Sequence, residues 1–219
     1  MAVLAREDGP KLSVRERNKL RTRRELLDAA LEVFAEVGYG SASVEKIAER
    51  AGAAKATVYS YFPQGREQLY CELYEEINNE LIEKAAEIYA SDGDFSSRIV
   101  AVTSAIVDVA QRPRLGRFYA IDDPALDQAL PPVRGRASSV IAQYIAKDYS
   151  AGAAEGAGGS GALRVPAKPE AIATLITGSM AAALTGVARG TYKADEILQA
   201  MQALALGLVS QPEPASEKT

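Results

Sequence analysis

The feature that most constrains this 219-residue chain is the spacing of its apolar residues, which recur every three or four positions along most of its length. Such spacing places apolar side chains on one face of an α-helix. Glycines, prolines and capping residues divide the pattern into segments, and no segment alternates well enough to predict a strand. We therefore predict an all-α protein with about nine helices.

The breaks in the pattern set the predicted helices and domains. Helices are expected at residues 14–37, 44–51, 55–62, 66–90, 95–111, 133–149, 169–189 and 194–209, with shorter pieces between Pro113 and Pro132. The inward positions are predicted to be Leu20, Leu27, Ala30, Leu31 and Phe34 in the first helix, and Leu69, Leu73, Ile77, Leu81 and Ile88 in the fourth. We expect a head at 13–65, a body at 66–210, disordered tails at 1–12 and 211–219, and a mobile Gly/Ala-rich loop at 151–162.

Residues 41–69 predict a helix-turn-helix. Two short helices flank Gly52, and Ser43 is a suitable N-cap for the first of them. Such a pair crosses at roughly 90–120° and can place its second helix in a DNA major groove. Within the second helix, Val58 and Phe62 are one turn apart and should face inward, so that Thr57, Ser60 and Tyr61 share another face. Their hydroxyls suit contacts to phosphates and base edges.

Basic residues precede this segment. Residues 11–24 contain seven Lys or Arg and one Glu, and the net charge of −4 divides into +3 for residues 1–66 and −7 for the remainder. A basic end on an acidic body suits a protein that presents one face to a polyanion. Arg23 and Arg24, near the start of the first helix, are candidate contacts to the DNA backbone.

Composition argues against several classes of enzyme. The chain has no histidine, which removes Ser-His and Cys-His pairs, HExxH zinc sites and any histidine base. It also lacks a glycine-rich phosphate-binding sequence. A small helical enzyme using carboxylates such as Asp122 and Asp123 would have no supporting base or cofactor. We therefore predict that the protein is not an enzyme, needs no cofactor and holds no metal.

The sequence also bears on the compartment. Cys71 is the single cysteine, which excludes an intrachain disulfide and fits a reducing environment, and the N-terminus lacks the apolar region of a secretory signal. Residues 171–188 carry no charge and approach the length of a membrane span, but small residues dominate them. We expect a buried or interface helix there, and a cytoplasmic protein.

Residues of about 20–70 resemble the N-terminal domain of the tetracycline-repressor (TetR) family. The matching pieces are LLDAALEVFAEVGYGSASVEKIAERAG, KATVYSYF and REQL, and LRVPAKPEAIATLITG looks like the family's entry to its penultimate helix. The resemblance implies an all-helical homodimer with a three-helix DNA-binding head and a body that binds a ligand and dimerises.

The resemblance also implies roles for particular residues. Lys55 and Ala56 align with positions that lie near base edges. Thr57, Tyr59 and Tyr61 align with positions whose DNA contacts are largely to phosphate. Arg66 aligns with a residue at the start of the fourth helix that holds the DNA backbone. Three departures stand out. Ala54 replaces the usual cap of the recognition helix, FPQGRE is one residue longer than the common pattern, and Glu45 stands where relatives often carry a base-contacting Arg. Lys46, beside Glu45, is a candidate phosphate contact.

The body is expected to supply a dimer interface and a ligand pocket. Gly178, Ala182 and Gly186 repeat every four residues, so that another helix can approach closely and form half of a four-helix interface with the last helix. The candidate ligand-binding residues are Tyr74, Phe118, Tyr119, Tyr144 and Met180. The absence of histidine argues against a metal effector.

We therefore predict a ligand-responsive transcriptional regulator, with repression as the favoured sign. It would bind a pseudo-palindromic operator as a homodimer and be released by a small-molecule effector. A nonspecific, architectural DNA-binding protein without an effector is the alternative.

Overall fold

Nine helices make up the regular structure of the described residues in a computed structural model, as the apolar spacing predicts. The description covers residues 13–121, 123, 124, 126, 130, 133, 135–155 and 167–209. The helices are α1 (Val14–Ser41), α2 (Val44–Arg50), α3 (Lys55–Tyr61), α4 (Arg66–Ala90), α5 (Phe95–Gln111), α6 (Pro113–Tyr119), α7 (Arg136–Glu155), α8 (Pro169–Ala188) and α9 (Ala194–Leu208). Both predicted tails and Asp122 lie outside these residues.

Local signals account for most helix ends in the head. Ser13 and Glu16 cap α1 reciprocally through side chain and backbone, and Ser43 accepts a hydrogen bond from the Lys46 amide at the start of α2. Gly38 interrupts α1 with φ of +74°, a conformation that only glycine adopts readily, so the regular helix stops near the predicted place. Helix α3 begins at Ala54 without a side-chain cap, as its sequence led us to expect.

The three head helices surround a core to which each contributes. Phe34, Ile47, Val58 and Phe62 are fully buried there. Helix α4 begins at this core and runs into the body, where it packs on α5 and α7. Helix α8 in turn packs on α5 and α7, and α9 packs on α5. Head and body therefore share one continuous core, so a displacement of α4 or α6 would change the packing in both.

Four aromatic rings join the head to the body. Phe34 and Tyr39 of α1 meet Tyr70 of α4 edge-on at centroid distances of 5.0 Å, and Phe118 of α6 lies 4.4 Å from Tyr70. The Tyr70 hydroxyl donates to the Phe118 carbonyl oxygen at 3.3 Å. These contacts fix α6 between α1 and α4.

Two expectations from the apolar pattern were wrong. Leu20 is exposed, because the core contacts of α1 begin only at Leu26, beyond the first turns of the helix. Residues 151–155 of the predicted loop continue α7. Alanine is the strongest helix former, and it favours extension of a helix that is already nucleated. The rest of that stretch, 156–162, lies outside the described part of the chain.

Helix α8 contains the uncharged stretch 171–188. By length and composition alone it is the one described helix that could cross a membrane, and 44% of its apolar window is buried inside the fold. Core helices of soluble proteins meet the same criterion. Its buried side packs on α5, α6 and α7, which agrees with the expected buried or interface helix.

Candidate DNA-binding face and ligand cavity

The outer face of α3 carries the side chains expected to meet DNA. Val58 and Phe62 point into the core, as their spacing predicts. The remaining α3 side chains are exposed or half-buried, and they comprise Lys55, Ala56, Thr57, Tyr59, Ser60 and Tyr61. On the hydroxyl-bearing face, Ser60 is exposed, whereas Thr57 and Tyr61 are half-buried and Tyr61 packs partly against the core. That face is therefore partly open to solvent.

Helix α2 adds one acidic and one basic residue beside that face. Lys46 is exposed and its Nζ donates to the Ser41 carbonyl oxygen at 3.0 Å. Glu45 forms an ion pair with Lys55, the first residue of α3, and the Lys55 ammonium also lies 5.9 Å from the centre of the Tyr59 ring. An acidic group is thus built into the edge of the predicted DNA face.

Two arginines of α1 form ion pairs with acidic residues of α1 and α4. Arg23 pairs with Glu72 and stacks 5.0 Å over Phe62, while Arg24 pairs with Asp28 and with Glu76 at 2.7 Å. Either arginine would have to leave these partners to reach a phosphate. Their predicted DNA contacts stay predictions, and the contacts seen here tie α1 to α4.

A groove between α1 and α3 carries two further basic residues of α1, Arg15 and Lys19. It is lined by Val14, Arg15, Glu16, Asn18, Lys19, Thr22, Ser60 and Tyr61. Among the described residues, neither Arg15 nor Lys19 forms an ion pair, whereas Glu16 is held by the Ser13 cap. The groove therefore places two available cations next to Ser60 and Tyr61. Sequence reasoning did not separate these cations from the paired arginines, because the distinction depends on α4.

Arg66 is the first residue of α4, as its alignment implies, and its side chain reaches the connection between α1 and α2. Its Nη1 donates to the carbonyl oxygens of Tyr39, Gly40 and Ala42 at 3.3, 3.1 and 2.9 Å. Its guanidinium lies 4.8 Å over the Tyr39 ring. The predicted phosphate contact of Arg66 stays a prediction, and the geometry gives this side chain a second task, holding the α1–α2 connection.

A cavity of about 380 Å³ opens in the body between α4, α5, α6, α7 and α8, within the size range of small-molecule sites. Of the five predicted ligand residues, Tyr74, Tyr119 and Met180 line it. Phe118 does not, because it is fully buried against Phe34 and Tyr70. Tyr144 does not either, since its ring stacks on Tyr89 at 5.1 Å.

Polar groups cluster on one wall of this cavity. The Tyr119 hydroxyl donates to Asn78 Oδ1 at 3.0 Å, and Asn78 Nδ2 donates to the Val133 carbonyl oxygen at 3.2 Å. The Tyr119 ring stacks on Tyr74 with centroids 4.9 Å apart, and burial raises the pKa of Tyr119 well above its ordinary value. Sequence reasoning missed Asn78, although it follows Tyr74 by one helical turn and should have been weighed with it.

Much of the remaining lining is apolar. It includes Leu81, Ile106, Ile141, Met180 and Leu184, interspersed with the uncharged polar residues Ser138, Thr177 and Thr185, and none of the residues found to line the cavity is charged. An ionised ligand group would lose its hydration there without gaining a counter-charge. The cavity thus favours a molecule with an apolar portion and a neutral hydrogen-bonding group. No cluster of three or more metal-ligating side chains occurs in the described parts of the chain.

The head matches a known domain along its sequence. The family described as "Bacterial regulatory proteins, tetR family" matches residues 26–73, which run from the middle of α1 through α2 and α3 into α4. Residues 26–73 of this chain are therefore similar to the DNA-binding head of that family. The match covers the open face of α3, and the resemblance noted from the sequence is confirmed.

Two curated relatives match part of this chain. The "Fatty acid metabolism regulator protein" of Bacillus subtilis (strain 168) is 35% identical over 80 residues, which cover 36% of this chain and 41% of that protein. The "HTH-type transcriptional activator FasR" of Mycolicibacterium smegmatis is 31% identical over 94 residues, covering 43% of this chain and 42% of that protein. The matched segments thus span about two fifths of each relative.

Solved structures extend the likeness in fold to the body. The fatty acid degradation regulator FadR from Bacillus halodurans superposes with a TM-score of 0.70 at 20% identity, covering 92% of this chain and 97% of that one. The FadR of Bacillus subtilis, solved in complex with stearoyl-CoA, gives 0.68 at 21% identity, covering 84% and 98%. At such identities the likeness establishes the all-α fold of head and body.

Proposed function

We propose that this protein is a homodimeric transcriptional regulator that reads a two-fold symmetric operator through α3 and is controlled by a small molecule bound in the body. The observation that carries the proposal is the solvent-facing side of α3 within a matched TetR-family head. Because the duplex lies in the cytoplasm of a bacterium, we place the protein there.

The DNA contacts we propose follow from exposure and pairing. Lys55 and Ala56 lie at the start of α3, where the recognition helix of a helix-turn-helix meets base edges. Tyr59, Ser60 and Tyr61 would contact phosphates, together with Arg15 and Lys19 across the groove between α1 and α3. A single seven-residue helix spans few base pairs, so two heads are needed to specify one site in a genome.

The dimer would form through α8 and α9. Leu175 and Leu204 are 72% and 61% exposed, and they border an apolar groove that Ile172, Ile176 and Leu208 also line. Large exposed aliphatic side chains gathered on one helical face favour association with a second copy. The small residue Gly178 has open space before it on α8, which would let a partner helix approach.

The effector we propose contains an aliphatic chain with a neutral polar group. The support is the uncharged lining of the cavity, in which the polar groups of Asn78 and Tyr119 stand among aliphatic residues. One structural neighbour holds stearoyl-CoA and one relative is named for fatty acid metabolism, so fatty acyl thioesters are the first compounds to test.

Control would operate as a shift between two arrangements of the heads. An effector that binds better to the arrangement unable to grip both half-sites lowers operator affinity, whereas equal affinity for both arrangements would change nothing. Because the effector lowers operator affinity in this scheme, the protein is a repressor that its effector releases from DNA.

Selection of bound duplexes from random DNA tests the proposal. We expect enrichment of one two-fold symmetric sequence, bound by two protomers. Tyr61→Phe, which removes one hydroxyl and keeps the ring, should weaken binding to it while leaving the melting temperature unchanged. Recovery of unrelated sequences without symmetry would instead establish the architectural DNA-binding alternative.

The effector is tested on the selected operator. Long-chain acyl thioesters should displace the protein, and Met180→Trp, which fills part of the cavity, should abolish this response while keeping DNA binding. Displacement that persists in that variant would place the effector elsewhere.

A further inference from the structure

An acidic side chain stands at the edge of the face that should meet a polyanion. Glu45 lies in the first turn of α2 and pairs with Lys55, the first residue of α3, and the two side chains are 58% and 53% exposed. The hydrogen bond from Lys55 lowers the pKa of Glu45, and Glu45 raises the pKa of Lys55. Both groups are therefore charged near neutral pH.

Stability does not account for this pair. Exposed ion pairs contribute little to folding because water and salt screen them. Helices α2 and α3 are anchored independently by Ile47 and Val58, which are fully buried. A carboxylate at this edge also repels the phosphates of any approaching duplex. Glu45 therefore lowers affinity for DNA in general, and its presence needs a different physical reason.

We propose that Glu45 determines specificity by holding the ammonium group of Lys55 away from phosphates. Discrimination is a difference between two affinities, and weakening the wrong complex increases it as well as strengthening the right one does. With Glu45 in place, Lys55 adds little to binding at random sites. At the operator it donates to a base-edge acceptor such as O6 or N7 of guanine. This inference rests on the proposed function.

The test compares two variants that remove one negative charge without changing shape. Glu45→Gln breaks the pair on the DNA face. Glu87→Gln is the matched control, because Glu87 forms a similarly exposed pair with Lys84 near the far end of α4, with exposures of 68% and 57%. Affinities for the selected operator and for an unrelated duplex are measured at several salt concentrations, and melting temperatures verify folding.

We expect Glu45→Gln to bind the unrelated duplex about fivefold to tenfold more tightly, as one charge close to a phosphate allows. The slope of log affinity against log salt should steepen by about 0.9 for each head, or about 1.8 for the dimer, since Lys55 of each protomer then neutralises one more phosphate. Operator affinity should rise less, so that the ratio of the two affinities falls. Glu87→Gln should change none of these quantities.

Two results would overturn the inference. One is an equal change of both affinities in Glu45→Gln. The other is a gain on unrelated DNA that persists in the double variant Glu45→Gln/Lys55→Gln, because the gain would then not come from Lys55. A wild-type protein that selects no symmetric sequence would contradict the proposed function instead. In that case, the affinity of the double variant for unrelated DNA still tests whether Glu45 acts through Lys55.

Discussion

Arg66 stabilises the connection between α1 and α2 through three hydrogen bonds from one nitrogen and through stacking on Tyr39. Gly40 lies in the last turn of α1, past the break at Gly38, and Ala42 lies between α1 and α2, so their carbonyl oxygens lack the regular donors of a helix interior. At the level of single residues, the Arg66 guanidinium that the sequence suggested as a DNA contact is already engaged within the protein, where it stabilises the head.

Arg66→Ala should lower the free energy of unfolding by about 1–3 kcal/mol, because these acceptors lose a charged donor. Urea denaturation measures the change. Arg24→Ala is the control, since it removes a more exposed arginine whose pairs should contribute less. If Arg66→Ala unfolded like the wild type but bound every duplex more weakly, Arg66 would be a phosphate contact instead.

Arg50 joins α2 to α1 through Glu36, with hydrogen bonds of 2.9 and 2.6 Å, and reaches Glu32 at 3.1 Å. The hydrogen bond from Arg50 lowers the pKa of Glu36 below its ordinary value of 4.5. A carboxyl whose pKa is lower in the folded state stabilises the fold above the unfolded value and loses that contribution as pH falls through the folded value.

The melting temperature should therefore decline as pH is lowered below about 4.5, and Glu36→Gln should remove part of that decline. Thermal melts of both proteins at pH values above and below this point measure the effect. Parallel curves for the two proteins at all pH values would show that Arg50 does not stabilise the ionised carboxyl.

Helix α6 connects the cavity to the head at the scale of the element. Its last two residues point in different directions, with Phe118 packed on Phe34 and Tyr70 and Tyr119 lining the cavity beside Tyr74. A ligand that displaces Tyr119 must move the same short helix that holds Phe118. The position of α6 is set by Gly116, whose backbone lies against the end of α5.

Gly116→Ala should shift α6, because the new Cβ would lie 2.1 Å from the Ala110 carbonyl oxygen. We expect a loss of about 1–3 kcal/mol in unfolding free energy, as for other overpacked cores, together with an altered response of DNA binding to the effector. Gly207→Ala is the control, since no atom lies within 4 Å of its Cβ and helical alanine is favoured. Unchanged stability in Gly116→Ala would show that α6 tolerates displacement.

At the scale of the whole molecule, the exposed apolar face of α8 and α9 is the feature a single chain leaves incomplete. Leu175, Leu204 and the groove between them remain in water here, although most other large aliphatic residues of the described body are buried in one core. We expect two chains to cover this face and thereby set the distance between two heads.

Leu204→Glu should yield a folded monomer, because the side chain is exposed within one chain and its replacement costs the chain little. Operator affinity should fall sharply and depend on protein concentration. Gln202→Glu adds the same charge two residues away on another side of α9 and should stay dimeric. Analytical ultracentrifugation measures the oligomeric state. A Leu204→Glu variant that stayed dimeric would show that the interface lies elsewhere.

Local sequence signals were sufficient to predict the helices of the head, their order and the inward side of α3. Each of these depends on neighbours within one or two turns, such as the Ser43 cap, the break at Gly38 and the inward pair Val58 and Phe62. Periodicity and capping act over such distances, so a linear pattern contains the necessary information.

The charges that are available and the aromatic residues that line the cavity depend instead on contacts between helices that are distant in the sequence. Arg23 meets Glu72, 49 positions away, and Tyr119 meets Asn78, 41 positions away. Phe118 and Tyr119 are neighbours with identical local context and opposite surroundings. Contacts between distant helices depend on how those helices cross, and crossing is set by the packing of the whole core, which no local pattern encodes.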